Sequence, residues 1–164
     1  MSKVKPIPDG YHSVTPYLIV DGAAAAIEFC KKALGATEVM RMPSPEGKIM
    51  HAEVQFGDSR VMLADECKEM GAHCPATIGG SPVTIMLYVE NVDKTFDKAI
   101  AEGAKVVRPV ADQFYGDRSG GFEDPFGHKW FIATHIEDVP PEEMGKRAME
   151  AKKQAQKQKA GAHA

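Results

Sequence analysis

The chain has 164 residues, of which 43% are hydrophobic and 26% charged, with a formal net charge of −3. That suits one compact domain or two small halves sharing a core, and the acidic balance argues against a dedicated nucleic-acid binder. The longest apolar runs fall far short of the ~20 residues of a membrane span. No apolar leader opens the sequence and the three cysteines form no CxxC, so a cytoplasmic protein with free thiols is expected.

Residues 1–12 read as an N-terminal arm. Pro16-Tyr17-Leu18-Ile19-Val20-Asp21 is an apolar strand running into a helix start. Ala23 to Leu34 carries Ile27, Phe29, Cys30 and Leu34 at helical spacing, and Gly35 predicts the C-terminal stop. Cys30 sits on the apolar side of that helix, which reads as filler rather than a nucleophile. Short strands follow at Glu38–Met42, Ile49–Phe56 and Arg60–Ala64, with Gly57-Asp58 as the tight turn between the last two. That turn predicts a register with Ala52 opposite Leu63 and Val54 opposite Val61. Directly opposed residues share a face, so His51 and Glu53 are expected on the other one. The inward, cavity-lining face is assigned to Leu63 and its neighbours.

Residues 66–82 show no period and read as a linker. Ile85 to Glu90 then repeats the first strand, and Val92 to Glu102 repeats the helix, with Asn91 as its N-cap. Strands are expected at Lys105–Arg108, in a stretch around Gln113–Glu123, and at Lys129–Thr134. Val61-Met62-Leu63-Ala64 and Trp130-Phe131-Ile132-Ala133 fall at the same offset of about 69 residues as the two helices. Residues 13–65 and 83–136 are therefore two copies of one strand–helix–three-strand module, and two such copies bury what neither buries alone. The Gly-rich stretch Tyr115 to Gly121 reads as a mobile loop that brings backbone, and Arg118, close to what it covers. Trp130 shares a face with Ile132 and is expected in the core. Residues 137–164 read as a helix starting near Pro141-Glu142-Glu143. It runs into a basic, disordered tail that frays toward Ala164.

These strings resemble the glyoxalase/bleomycin-resistance/extradiol-dioxygenase superfamily, the vicinal oxygen chelate proteins, and its PhnB-like branch in particular. The matching strings are Thr15-Pro16-Tyr17-Leu18, Ala26-Ile27-Glu28-Phe29, Leu34-Gly35-Ala36, His51-Ala52-Glu53, Gly116-Asp117-Arg118-Ser119-Gly120 and Asp124-Pro125-Phe126-Gly127-His128-Lys129-Trp130. The resemblance spans about Gly10 to Lys146. It implies an α+β fold of two paired βαβββ modules forming curled mixed sheets around a cavity, and a homodimer with the pocket near the contact. Metal-using members place ligands on the first and last strand of each module. The matching positions here are Thr15, Leu63, Thr84 and Phe131. Leu and Phe coordinate nothing, and Thr is a poor ligand for the usual divalent ions. The expectation is a protein without metal or cofactor that binds a small amphiphilic or aromatic ligand. Its site residues are Thr15, Tyr17, Leu63, Thr84, Met86, Arg118 and Phe131, of which Arg118 suits an anionic group. On the same alignment, Leu63→Glu with Thr84→His is expected to create weak metal affinity. Two other readings stand beside it. One is a lyase or isomerase with a rebuilt site at His51, Glu53 or His128. The other is an interaction protein whose pocket is vestigial.

Overall fold

The computed structural model describes residues 4–161. Strand β1 (Tyr17–Val20) leads into helix α1 (Ala23–Leu34), then β2 (Thr37–Pro43), β3 (Ile49–Phe56) and β4 (Ser59–Asp65). These strands form a four-stranded sheet of order β1-β4-β3-β2, with β1 parallel to β4 and the other pairs antiparallel. The same pattern recurs in β5 (Thr84–Tyr88), α3 (Val92–Ala101), β6 (Lys105–Asp112), β7 (Asp117–Glu123) and β8 (Lys129–His135), with order β5-β8-β7-β6. The expected duplication is present, strand order included. A parallel first and last strand needs a crossover, and each module's helix supplies it.

The helices begin and end for local reasons. Asn91 caps α3 by accepting from the Lys94 N–H at 2.9 Å. Helix α1 has no such residue, because Gly22 precedes it. Its cap comes from β4 instead: Asp65 Oδ1 accepts from the N–H groups of Gly22 at 2.9 Å and Ala23 at 2.8 Å, while Oδ2 holds Ile49 N–H at 2.7 Å. Sixty-nine residues on, Thr134 plays the same part, accepting from Val92 N–H and donating to the Val89 carbonyl, each at 2.9 Å. Asp65→Ala should therefore lower stability by about 1–3 kcal/mol, because three backbone donors lose their acceptor at once. Urea unfolding checks this, and Asp65→Asn should recover part of the loss. At its C-terminus α1 ends on Gly35, left-handed at φ 72°, with Ala36 N–H bonded to the Cys30 carbonyl. That is the closure glycine permits at little strain.

One face of each sheet is covered by its own helix, and α1 and α3 pack against each other, so both modules share one core. Ala23, Ala26, Ala33 and Ala99 keep the helices close. Phe29 and Phe96 both meet Phe122 edge-on, at 6.5 and 6.0 Å between ring centres, and Phe56 lies 5.6 Å from Trp130. Trp130 and Ile132 are buried here, as expected.

The strand expected around Gln113–Glu123 is β7, an inner strand between β8 and β6, and it takes up most of the Gly-rich stretch that also read as a mobile loop. Its glycines make room. A Cβ on Gly120 would stand 2.8–3.0 Å from Val110 and Phe96, and one on Gly121 2.6 Å from the Phe131 ring. Residues 66–82 are also ordered. They hold a 3₁₀ turn (Lys68–Met70) and a short helix α2 (Pro75–Ile78), tied back by Cys74 N–H to Glu66 at 2.9 Å. The Thr77 hydroxyl and that N–H hold the Glu66 carboxyl down to about 2. Helix α4 (Pro141–Gly161) begins where the acidic residues predict, anchored by Arg147 on Glu137 at 2.8 Å. The fraying expected toward Ala164 lies outside the described residues.

Candidate functional site

Each sheet keeps one face free of its helix, and side-chain alternation decides what stands there. In the first sheet the predicted register holds: Ala52 opposes Leu63 and Val54 opposes Val61. The helix, however, lies on that side. Leu63 is 2% exposed, inside the shared core. The free face carries Tyr17, His51, Glu53, Arg60 and Met62, since Tyr17 and Glu53 both pair with Met62 and Gln55 pairs with Arg60. Tyr17 and Leu63 therefore point to opposite sides of the sheet.

A polar chain runs across this face. The Tyr17 hydroxyl lies 2.9 Å from His51 Nδ1, and His51 Nε2 lies 3.4 Å from Glu53 Oε1. Arg60 donates to Glu53 at 2.9 Å, and the Tyr11 hydroxyl, from the N-terminal arm, donates to the same carboxylate. Tyr11 also lies under the Arg60 guanidinium at 4.4 Å. Burial pushes the Glu53 carboxyl up, but the bonds from Tyr11, His51 and Arg60 outweigh it and hold it below the usual range. Glu53 is thus an ionised, buried carboxylate with every neighbour a donor. Burial raises the Tyr17 hydroxyl, which keeps it protonated at neutral pH.

On the second sheet the free face presents Thr84, Met86 and Tyr88 from β5, Phe131 and His135 from β8, Asp117 and Ser119 from β7, and Arg108 from β6. Asp117 is spoken for. It accepts from the Tyr88 hydroxyl at 2.9 Å and lies 2.7 Å from His135 Nδ1, whose other nitrogen meets Asp138 at 3.0 Å. Those two carboxylates raise the His135 pKa.

Of the hollows beside the edge strands, two carry several expected site residues from the free faces. A cleft of 580 Å³ lies between the edge strands β1 and β5, walled by Tyr17, Ile19, Thr84, Met86 and, from the linker, His73 and Ile78. A hollow of 300 Å³ shares Thr84 and Met86 with it and adds Phe131, Arg108 and Tyr115. Of the seven expected site residues, Tyr17, Thr84, Met86 and Phe131 stand on these walls. Thr15 is half-buried just before β1 and lines neither. Leu63 is core. Arg118 faces the helix side, where it pairs with Asp93 at 2.7 Å and Asp112 at 2.8 Å. Its charge is answered, because alternation in an inner strand turns residue 118 away from the face that residues 117 and 119 share. His73, Ile78, Arg108 and Tyr115 were not singled out in the sequence. The linker residues carry no periodic signal, and Arg108 sits in an edge strand with nothing nearby in sequence to mark it.

On the free face of the first and last strands stand Tyr17, Met62, Thr84, Met86 and Phe131, none of them a divalent-metal ligand of the usual kind, and His135, whose two ring nitrogens already meet Asp117 and Asp138. Among the described residues no three His, Cys, Asp or Glu gather as a ligand set. The residues present do not fit the metal. His128, in the turn before β8, lies with Nε2 3.1 Å from the Ile19 carbonyl and forms part of the cleft wall. The Cys30 thiol is pushed up to about 12 by burial and is no nucleophile at neutral pH.

Two repeated βαβββ units, each with one uncovered sheet face, define the class of fold. Residues 10–132 match the model of the Glyoxalase/Bleomycin resistance protein/Dioxygenase superfamily, and the chain belongs to that superfamily. It is 42% identical over 135 residues to Mb0911c of Mycobacterium bovis, covering 80% of this chain and 89% of that one. Rv0887c of Mycobacterium tuberculosis is also 42% identical, over 80% of this chain and 79% of its own length. Among solved structures, PA1353 from Pseudomonas aeruginosa aligns with a TM-score of 0.62 at 28% identity, covering 77% of this chain and 99% of that one. The PhnB protein from Bacillus cereus aligns with a TM-score of 0.59 at 18% identity, over 75% and 99% of the two chains, a likeness of fold. Among the described residues no helix is long and apolar enough to cross a membrane.

Proposed function

We propose that the protein binds and sequesters a small amphiphilic or aromatic molecule in the cleft between β1 and β5, without a divalent metal. The observation that supports this best is the joining of the two hollows at Thr84 and Met86: one wall is apolar, with hydroxyl groups at its rim, which suits such a ligand. The working unit is a homodimer. Among the described residues the outer edges of β1 and β5 pair with no strand, and Val14, Tyr17, Val83, Met86 and Tyr88 leave apolar surface beside them. Exposed edges are ordinarily covered, and a second copy does so in the commonest oligomeric arrangement. Native mass spectrometry of the purified protein tests all three parts together. Two chains with an organic adduct and no stoichiometric metal are expected. Met86→Arg, which fills the cleft, should weaken retention of that adduct by at least about 10-fold. Zinc, nickel, manganese or iron retained through dialysis overturns the metal-free part, a lone chain at micromolar concentration overturns the dimer, and a bare cleft points to an interaction protein.

The Tyr17–His51–Glu53 chain favours a second reading, an enzyme of the lyase or isomerase kind. A histidine held between a carboxylate and a hydroxyl on the uncovered face of a sheet is an arrangement for moving a proton. Incubation of the wild type and His51→Gln with a small-metabolite extract, followed by mass spectrometry, distinguishes it. Equal consumption by both proteins retires the enzyme.

A further inference from the structure

The chain has five arginines, and four of them close onto carboxylates. Arg41 meets Glu38 at 2.6 Å, Arg60 meets Glu53 at 2.9 Å, Arg118 meets Asp93 at 2.7 Å and Arg147 meets Glu137 at 2.8 Å. Arg108 has no such partner among the described residues. Its Nη2 donates to the Ser119 hydroxyl at 3.0 Å, its guanidinium lies 4.6 Å over the Phe131 ring, and its Nε is buried with nothing to receive the hydrogen. Asp117, two residues along β7 from Ser119, is already held by Tyr88 and His135. Arg60 also has an orphaned Nε, but Glu53 answers its charge.

The duplication shows what is missing. Glu53 pairs across the ladder with Met62, and Gly121 with Phe131, the residue 69 positions on. Gly121 is therefore the counterpart of Glu53, and Ser119 that of His51. Where the first sheet carries a carboxylate opposite Met40, the second carries glycine opposite Arg108. A partly buried guanidinium without a counter-charge is unfavourable. Here it opens into the 300 Å³ hollow that Thr84, Met86, Tyr115 and Phe131 complete.

We propose that Arg108 holds the acidic group of a bound ligand, so that the pocket takes small molecules in which an oxyanion is joined to a flat apolar body. The guanidinium fork bonds two oxygens of a carboxylate or phosphoryl group, with Ser119 keeping the fork in place. The body lies against Met86 and Tyr115. Phe131 backs the guanidinium and fixes its plane. This rests on the small-molecule reading above and names the class of ligand.

The test uses benzoate, phenyl phosphate and the neutral analogue benzyl alcohol, titrated calorimetrically into the wild type, Arg108→Met and Arg108→Lys. A neutral dye such as Nile red reports on the cleft itself. The acids should bind and the alcohol should not. Arg108→Met should weaken acid binding at least about 10-fold while Arg108→Lys keeps part of it. The preferred acid sorts carboxylate from phosphoryl ligands. Arg108→Met should melt no lower than the wild type, because it removes a charge that no carboxylate among the described residues answers. Acids bound equally by Arg108→Met overturn the proposal, and so does a variant that melts several degrees lower while neither acid binds the wild type, since the arginine is then structural. Nile red bound without either acid removes the anion subsite and leaves the pocket. A folded wild type that binds none of these probes removes both.

Discussion

Leu63→Glu should abolish the fold, whereas Met62→Gln, one residue away, should change stability by no more than about 1 kcal/mol. Leu63 is 2% exposed, opposite Ala52, inside the core the two modules share. A carboxylate there has neither water nor a cation. Together with the lost apolar burial it costs on the order of 5 kcal/mol or more, the whole stability of many domains. Met62 stands on the free face, beside Tyr17 and Glu53. Circular dichroism and urea unfolding decide the pair of variants, and a folded Leu63→Glu protein would show that the helix does not cover that face. The same geometry corrects the expectation that Leu63→Glu with Thr84→His builds a metal site. The two new ligands would stand on opposite sides of their sheets, and residue 62 is the one that shares the free face with Tyr17.

Trp130→Ala should lower stability by about 3–5 kcal/mol, the usual range for deleting a large buried aromatic. Trp130 is 1% exposed and packs on Phe56, and its indole N–H donates to Asp124 Oδ2 at 2.9 Å. Asp124 is itself buried and also accepts from the N–H groups of Phe126 and His128, each at 2.9 Å. The substitution thus leaves a cavity and a half-satisfied carboxyl together. Trp130→Phe separates the two, keeping most of the volume and losing the donor, and should cost about 1–3 kcal/mol. Burial raises the Asp124 pKa, against the pull of those three donors. A carboxyl whose folded pKa lies above its unfolded value is bound to its proton more tightly when folded. Its contribution to stability therefore falls as pH rises from the unfolded pKa through the folded one. With the indole donor gone that dependence should steepen, so Trp130→Phe should lose least relative to the wild type at acid pH. Unfolding curves between pH 4 and pH 7, a window near the usual carboxyl range, read this out; a loss that is the same at every pH would mean that the indole N–H does not act on Asp124.

The sequence by itself determined the repeat, the helix limits at Asn91 and Gly35, and the β3–β4 register, because each depends on neighbours within a few residues or on a fixed offset of about 69. It also singled out Tyr17, Thr84, Met86 and Phe131, which stand on the walls of the two hollows. Alternation told it that His51 and Glu53 share a face that Leu63 does not. It could not tell which face the helix would cover, because a strand's two sides are equivalent until something packs on one of them. The tertiary structure made that choice. It turned Leu63 inward with the core and turned the Tyr17–His51–Glu53 chain onto the uncovered face, from which Tyr17 reaches the cleft. Arg118 and the glycines of β7 follow the same logic. Their composition reads as a loop, yet Phe96 and Phe131, distant in sequence, press on Gly120 and Gly121 and need the space a side chain would fill. Arg108 was hidden for a related reason. That it lacks a carboxylate partner is a property of everything around it in space, and no stretch of chain near residue 108 carries that information.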